Sequence, residues 1–403
     1  MSVADRWLLP DGIDELLPVE AEKLESLRRQ LLDRYRCWGY QLVIPPLVEF
    51  TESLLISSHR DLDIQTFKVT DQLSGRLMGI RADITPQTAR IDAHSLNEAG
   101  PARLCYAGTV LRTRPKTALS SRAPIQIGAE CYGINELAAD KEVICLMLET
   151  LALAGVTSPL LSIGDVSIFR ALASLCGLDE EQENRLLDIL QRKAKTELTR
   201  FIDQEINDKT YSHLLEKLIT LFGDNNARQD NSVIEQARTI LADAPLSVQV
   251  AIDNIEQVIL YIQQRFPNVQ CYVDFAELPG YHYHSGLVFA AYAPGYGEAV
   301  ANGGRYDDIG AVFGRARPAT GFNANLKALI DMGEVSTAKT AAILTRDDGT
   351  IEQWQAIQSL RNQGETVVFL LGDEDIGSEK SVFDRELVKV NGSYTCQPIN
   401  HEK

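Results

Sequence analysis

The chain has 403 residues, with 39 Lys and Arg against 56 Asp and Glu, a formal net charge of −17. That length predicts two or three domains, and 45% hydrophobic with 24% charged residues is the mix of a folded protein. The acidic balance excludes broad attachment to nucleic acid or anionic lipid, which needs a positive surface field, so neither partner is expected.

The N-terminus carries Asp5, Asp11, Asp14 and Glu15 where a secretory leader needs an apolar run, and no stretch reaches the ~20 apolar residues of a membrane span. The seven cysteines form no C-x-x-C pair, so they read as buried, reduced side chains, and a cytoplasmic location is expected. Leu24, Leu27, Leu31 and Tyr35 behind Pro18 predict an amphipathic helix ended by Gly39. Strands are predicted over Tyr40–Ile44, stopped by Pro45-Pro46, then Phe67–Thr70, Leu77–Arg81, Ala102–Arg112 and Ile125–Tyr132. From about 167 to 265 leucine-periodic, charge-rich helices replace strands: Glu183–Lys195, Leu198–Gln204, Ser212–Phe222 and Ser232–Leu241, a helical insertion. Strands return at Val273–Phe275, Leu287–Tyr292 and Ala299–Ala301. After a linker at 333–340, a small α/β tail follows: strand Ala341–Thr345, helix Ile351–Asn362, strand Thr366–Leu371. The fold class is α+β, a mainly antiparallel sheet flanked by helices. A core domain spans 1–332 and a small α/β domain 338–403.

Four segments carry chemistry. In MGIRADITPQTAR, Asp83 and Thr85 lie two apart, so on an extended segment both would face one ammonium group; a turn capping a helix before Pro86-Gln87 is the other reading. Next, Arg112, Arg114, Lys116 and Arg122 surround a hairpin loop, either an anion-holding tip or a solvated basic hairpin, and Gln126, Gly128 and Glu130 alternate onto one face of its second strand. In ELPGYHYHSG, His282 and His284 lack a third ligand for a metal, and a Tyr/His strand lining a pocket fits better. Asn302-Gly303-Gly304 reads as a turn, and Gly321, Phe322, Leu326 and Leu329 as a strand passing into a helix.

In this order the segments resemble the class II aminoacyl-tRNA synthetase core, and specifically histidyl-tRNA synthetase, over about residues 6–332. GYQLVIPPLVE is similar to motif 1, LRTRP through QIGAE to motif 2 with Arg112 at its arginine, and TGFNANLKAL to motif 3; IRADIT, PGYHYHSG and NGGRYD are similar to the histidine-recognition segments. The resemblance implies a histidine site of Asp83, Thr85, Arg112, Gln126, Glu130, Tyr283, His284 and Tyr306, with Asp83 and Thr85 on the ammonium. It implies no catalytic residue set, because three charges depart from the synthetases: Arg114 stands at an acid that holds adenine, Ala328 at the motif 3 arginine and Pro279 at an arginine near the reacting carboxylate. Losing two cations from an adenylation site costs on the order of ~10² to 10³ in rate each. The pattern resembles the regulatory subunits of ATP phosphoribosyltransferase, paralogues of histidyl-tRNA synthetase. That family implies a non-enzymatic chain without cofactor or metal, self-associating as a dimer within a hetero-octamer with a short-form catalytic subunit. L-histidine is the implied effector, at the first step of histidine biosynthesis. An active histidyl-tRNA synthetase, or a related amino-acid-adenylating enzyme, is the alternative.

Overall fold

The computed structural model describes residues 7–55, 60–115, 117, 120–224, 232–333, 342–370 and 383–399. Lys116 and the expected linker beyond Gly333 lie outside them, as does part of the expected tail domain. The chain divides into two compact units, Met1–Val335 and Ser336–Lys403.

In the larger unit the strands are β1 Gln41–Leu42, β2 Val48–Phe50, β3 Phe67–Thr70, β4 Leu77–Ile80, β5 Ala102–Thr109, β6 Ile125–Tyr132, β7 Leu160–Asp165, β8 Phe222–Asp224, β9 Gln270–Asp274, β10 Leu287–Tyr292, β11 Ala299–Arg305 and β12 Ala319–Asn325. Among the described residues nine of them form one sheet in the order β1-β5-β6-β12-β11-β10-β7-β9-β8, and β2-β4-β3 form a smaller one. The large sheet is antiparallel except where β1 meets β5 and β7 meets β9. The synthetase-like α+β expectation therefore holds, with parallel pairs toward both edges.

The helix Pro18–Cys37 forms as its spacing predicts, burying Leu24, Leu27, Leu31 and Tyr35 along one stripe. Each such leucine contributes about 1.5 to 3 kcal/mol relative to exposure. With the helices Leu137–Leu153 and Leu246–Arg265 it covers one face of the sheet, where Ile127, Ala129 and Cys131 of β6 point into the core. The alternate residues Gln126, Gly128 and Glu130 face the other way.

The expected insertion is less separate than its sequence implies. Its helices share the main hydrophobic core, and the helix expected over Ser212–Phe222 stops at Leu218. Phe222 instead opens β8, which pairs with β9 at the sheet edge. Two other expected strands are cut short. Tyr40–Ile44 contributes only Gln41–Leu42 ahead of the prolines, and Ala102–Arg112 ends at Thr109 because beyond it the chain makes a single bridge, Arg112 to Thr66.

The smaller unit holds β13 Ala342–Thr345, the helix Ile351–Asn362, β14 Val367–Phe369, β15 Phe383–Val390 and β16 Ser393–Pro398, in sheet order β14-β13-β15-β16. Ile343, Ile357, Val367 and Leu387 form its core. The β15–β16 hairpin has no counterpart among the predicted elements; only Phe383 and Leu387 of its strand residues are buried, too few to set an apolar alternation.

Candidate functional site

The site lies on the sheet face away from the long helices, and Glu130 is its centre. This carboxylate is 1% exposed. The Tyr106 hydroxyl, from β5, donates to Oε1 at 2.9 Å, and the Tyr306 hydroxyl, just past β11, donates to Oε2. Thr85 Oγ1 shares a hydrogen bond with Tyr106 at 3.1 Å. Burial pushes the Glu130 carboxyl up to about 8, against the two tyrosine hydrogen bonds that pull it down, with Asp83 adding to the rise.

Asp83 and Thr85 sit at a helix start and not on a strand. Thr85 opens the helix Thr85–Arg90, and its backbone N–H donates to Asp83 Oδ1 at 2.8 Å. Asp83 therefore closes an Asx turn just ahead of the helix, whose N-cap is Ile84, close to the turn reading of that segment. Gln126 ties the turn to β6: its Nε2 donates to Asp83 Oδ1 at 3.1 Å, and its Oε1 accepts from the Ile84 N–H at 2.9 Å. Arg112 is half-buried, with Nε 3.4 Å from the Ala82 carbonyl; burial lowers its pKa while Asp83 and Glu298 oppose that.

The Tyr/His segment is a turn ahead of β10, not a strand. Tyr283 and His284 both donate their backbone N–H to the Gly280 carbonyl, at 2.8 and 3.0 Å, and Gly280 has φ +69°. A Cβ on Gly280 would stand 3.0 Å from the His284 ring, so glycine is required twice over. The turn splits the two histidines: His284 is buried and His282 exposed. Ring centroids of Tyr283 and Tyr306 are 5.0 Å apart, those of Tyr283 and His284 5.2 Å. All eight predicted residues thus belong to one connected neighbourhood around Asp83 and Glu130.

Asn302-Gly303-Gly304 is not a turn either, because β11 runs through it to Arg305. The glycines make room instead. A Cβ on Gly304 would lie 2.8 Å from His284 Nδ1, and one on Gly321, opposite Glu130 across the ladder, would overlap the carboxylate. Sequence reasoning also passed over Tyr106, whose available signal was its place directly across from Gly128 in the hairpin. Of the basic residues around the hairpin loop, Arg114 is exposed. Arg122 is used structurally, donating to the Arg112 and Asp11 carbonyls at 3.0 Å each and lying over the Phe67 ring.

Comparison with known proteins places the chain. The family described as histidyl-tRNA synthetase matches residues 12–329, and the ATP phosphoribosyltransferase subunit HisZ C-terminal domain matches residues 340–397. The chain is 48% identical over 400 residues to the ATP phosphoribosyltransferase regulatory subunit of Teredinibacter turnerae, covering 99% of this chain and 100% of that one. It is 47% identical over 401 residues to that of Cellvibrio japonicus, covering 99% and 98%. The chain belongs to the ATP phosphoribosyltransferase regulatory subunit family.

A solved structure described as an ATP phosphoribosyltransferase regulatory subunit/histidyl-tRNA synthetase from Bacillus halodurans superposes with TM-score 0.80 at 26% identity, covering 96% of this chain and 98% of that one. Histidyl-tRNA synthetase from Nostoc, at TM-score 0.74 and 17% identity over 95% and 91%, shares the fold. In this member of the regulatory-subunit family the three positions named as departing from synthetases have different surroundings. Arg114 is exposed, Ala328 is buried in the helix Leu326–Met332, and Pro279 is exposed beside a shallow cleft lined by Ser162, Glu277, Val288, Ala290 and Tyr292.

Proposed function

We propose that this chain is a non-catalytic regulatory subunit of ATP phosphoribosyltransferase, needed by a short-form catalytic subunit at the first step of histidine biosynthesis. In this reading L-histidine binds among Asp83, Thr85, Arg112, Gln126, Glu130, Tyr283, His284 and Tyr306 and exerts feedback control. The observation that carries it is Glu130, a buried carboxylate hydrogen-bonded by two tyrosine hydroxyls. Burying an acid without a cation is costly, and a ligand bearing imidazole and ammonium N–H groups supplies the missing charge complement. The family assignment supports the same reading.

The core domain we assign to 1–332 and the small domain to 338–403, in a cytoplasmic hetero-octamer whose regulatory chains pair through the motif 1 region. Leu42, Ile44 and Leu47, all exposed apolar residues, support that pairing surface.

The test is reconstitution. Phosphoribosyl transfer should appear only when the chain is mixed with the catalytic subunit, and L-histidine should inhibit the mixture. Glu130→Ala or Asp83→Ala should weaken histidine binding and inhibition roughly 10- to 100-fold, the worth of one charge-assisted hydrogen bond. Histidine-dependent ATP–pyrophosphate exchange by the purified chain would overturn the proposal in favour of a synthetase.

A further inference from the structure

The strand register lays one row of residues across the site face of the sheet. Gly128 on β6 is opposite Asn323 on β12, Asn323 opposite Asn302 on β11, Asn302 opposite Ala290 on β10, and Ala290 opposite Ser162 on β7. Directly opposed residues project to the same face, and Gly128 shares its face with Gln126 and Glu130. The row therefore runs from the Glu130 site to the cleft beside Pro279, whose floor includes Ser162 and Ala290.

Asn302 and Asn323 do not suit a structural role. Asparagine is depleted in strands because it neither packs well nor fits the pleat, yet two of them stand side by side in central strands. Both are half-buried, and neither carboxamide hydrogen-bonds to another described residue. Glycines 128, 304 and 321 bound them on the same face, and the room those glycines leave holds the side chains of Tyr106, His284 and Glu130. A pair that breaks a local rule without a packing gain is the mark of a functional position.

Each carboxamide offers two N–H donors. The site's acids, Asp83 and Glu130, suit the cationic and N–H-bearing parts of an amino acid, while its carboxylate needs donors, and position 279 is a proline. We propose that Asn302 and Asn323 donate from Nδ2 to the α-carboxylate of an amino acid whose side chain lies against Glu130. The two neutral donors fill the role of a guanidinium. This rests on the amino-acid-pocket reading above and names the part of the pocket that distinguishes a free amino acid from its amine.

The test is titration calorimetry with L-histidine and with histamine, which has no carboxylate, on the full chain alone and with the catalytic subunit. Asn323→Asp keeps size and shape but replaces a donor with a negative charge. It should weaken L-histidine at least tenfold while leaving histamine within about twofold, and Asn302→Ala should weaken L-histidine about tenfold with histamine again unchanged. A misfolded variant would lose both ligands together, so the split between them reports on the carboxylate alone. If both variants bind L-histidine as the parent chain does while Glu130→Gln weakens it, the asparagine subsite is wrong and the pocket stands. If L-histidine binds neither preparation, or binds with an affinity that none of the three variants changes, the pocket reading falls and the subsite with it.

Discussion

Glu130 and Asp140 are both 1% exposed, and they show two ways of keeping a carboxylate in a protein interior. Asp140, in the helix Leu137–Leu153, receives the Arg305 guanidinium at 2.5 and 3.2 Å, and Arg305 also reaches the carbonyls of Ile134 and Glu136. Burial raises the Asp140 pKa, and Arg305 is the chief force holding it down. Glu130 has tyrosine hydroxyls where Asp140 has an arginine, and its carboxyl rises to about 8. The first arrangement supplies a cation to Asp140 Oδ2 and pins a helix to the end of β11. The second has no cation, and in the proposed reading a ligand brings the missing charge or N–H donor. The two buried acids differ in what their partners supply, and the proposed histidine site rests on that difference.

That contrast can be broken most sharply at Arg305. Arg305→Leu strands Asp140 without its cation and should lower the stability of the larger unit by about 3 to 5 kcal/mol in urea unfolding, whereas replacing both partners with apolar residues should restore much of the loss. Glu130→Gln should behave oppositely. An acid whose folded pKa of about 8 lies above its ordinary value near 4.5 holds its proton in the folded state only, so stability falls as pH rises through that window. Unfolding curves collected from pH 5 to 8 should show the parent chain losing up to about 1.4 kcal/mol per pH unit relative to Glu130→Gln. Smaller still is Tyr106→Phe, which removes one donor from the carboxylate: about 1 kcal/mol in thermal unfolding, with the pH window displaced upward. At the surface, Glu25 is held down to about 2 by hydrogen bonds from Arg28 and Arg29. Glu25→Gln should nonetheless change stability by less than about 0.5 kcal/mol, because water screens an exposed pair.

Sequence reading was strongest where periodicity or flanking turn residues delimit an element. Pro18–Cys37, Phe67–Thr70, Ile125–Tyr132, Leu287–Tyr292 and Ile351–Asn362 match their predicted bounds, marked by periodicity or by turn residues at both ends. The helix Leu137–Leu153 escaped notice because apolar residues surround it: Val143, Ile144, Cys145, Leu146, Met147 and Leu148 are all buried, which erases the amphipathic signal. The glycines of β11 misled in another way. Locally Asn-Gly-Gly is turn chemistry, and only the neighbours it must clear, His284 and Phe289, explain its place in a strand. The site residues were legible as a resemblance more than as chemistry, since the hydrogen bonds among Asp83, Gln126, Tyr106 and Glu130 join segments far apart in sequence.

The prolines that end β1 have a consequence for assembly. An edge strand two residues long, closed by Pro45-Pro46, offers almost no free backbone donors, so another chain cannot extend the sheet there by strand addition. Whatever meets this edge does so through the side chains of Leu42, Ile44 and Leu47, of which Ile44 is 84% exposed. Contacts of that kind carry no charge for salt to screen and weaken on cooling, because transferring hydrocarbon out of water is driven by solvent entropy near room temperature. If chains pair at this edge as proposed, a sizing column run cold should find the association eased, and one run in a kosmotropic salt should find it strengthened.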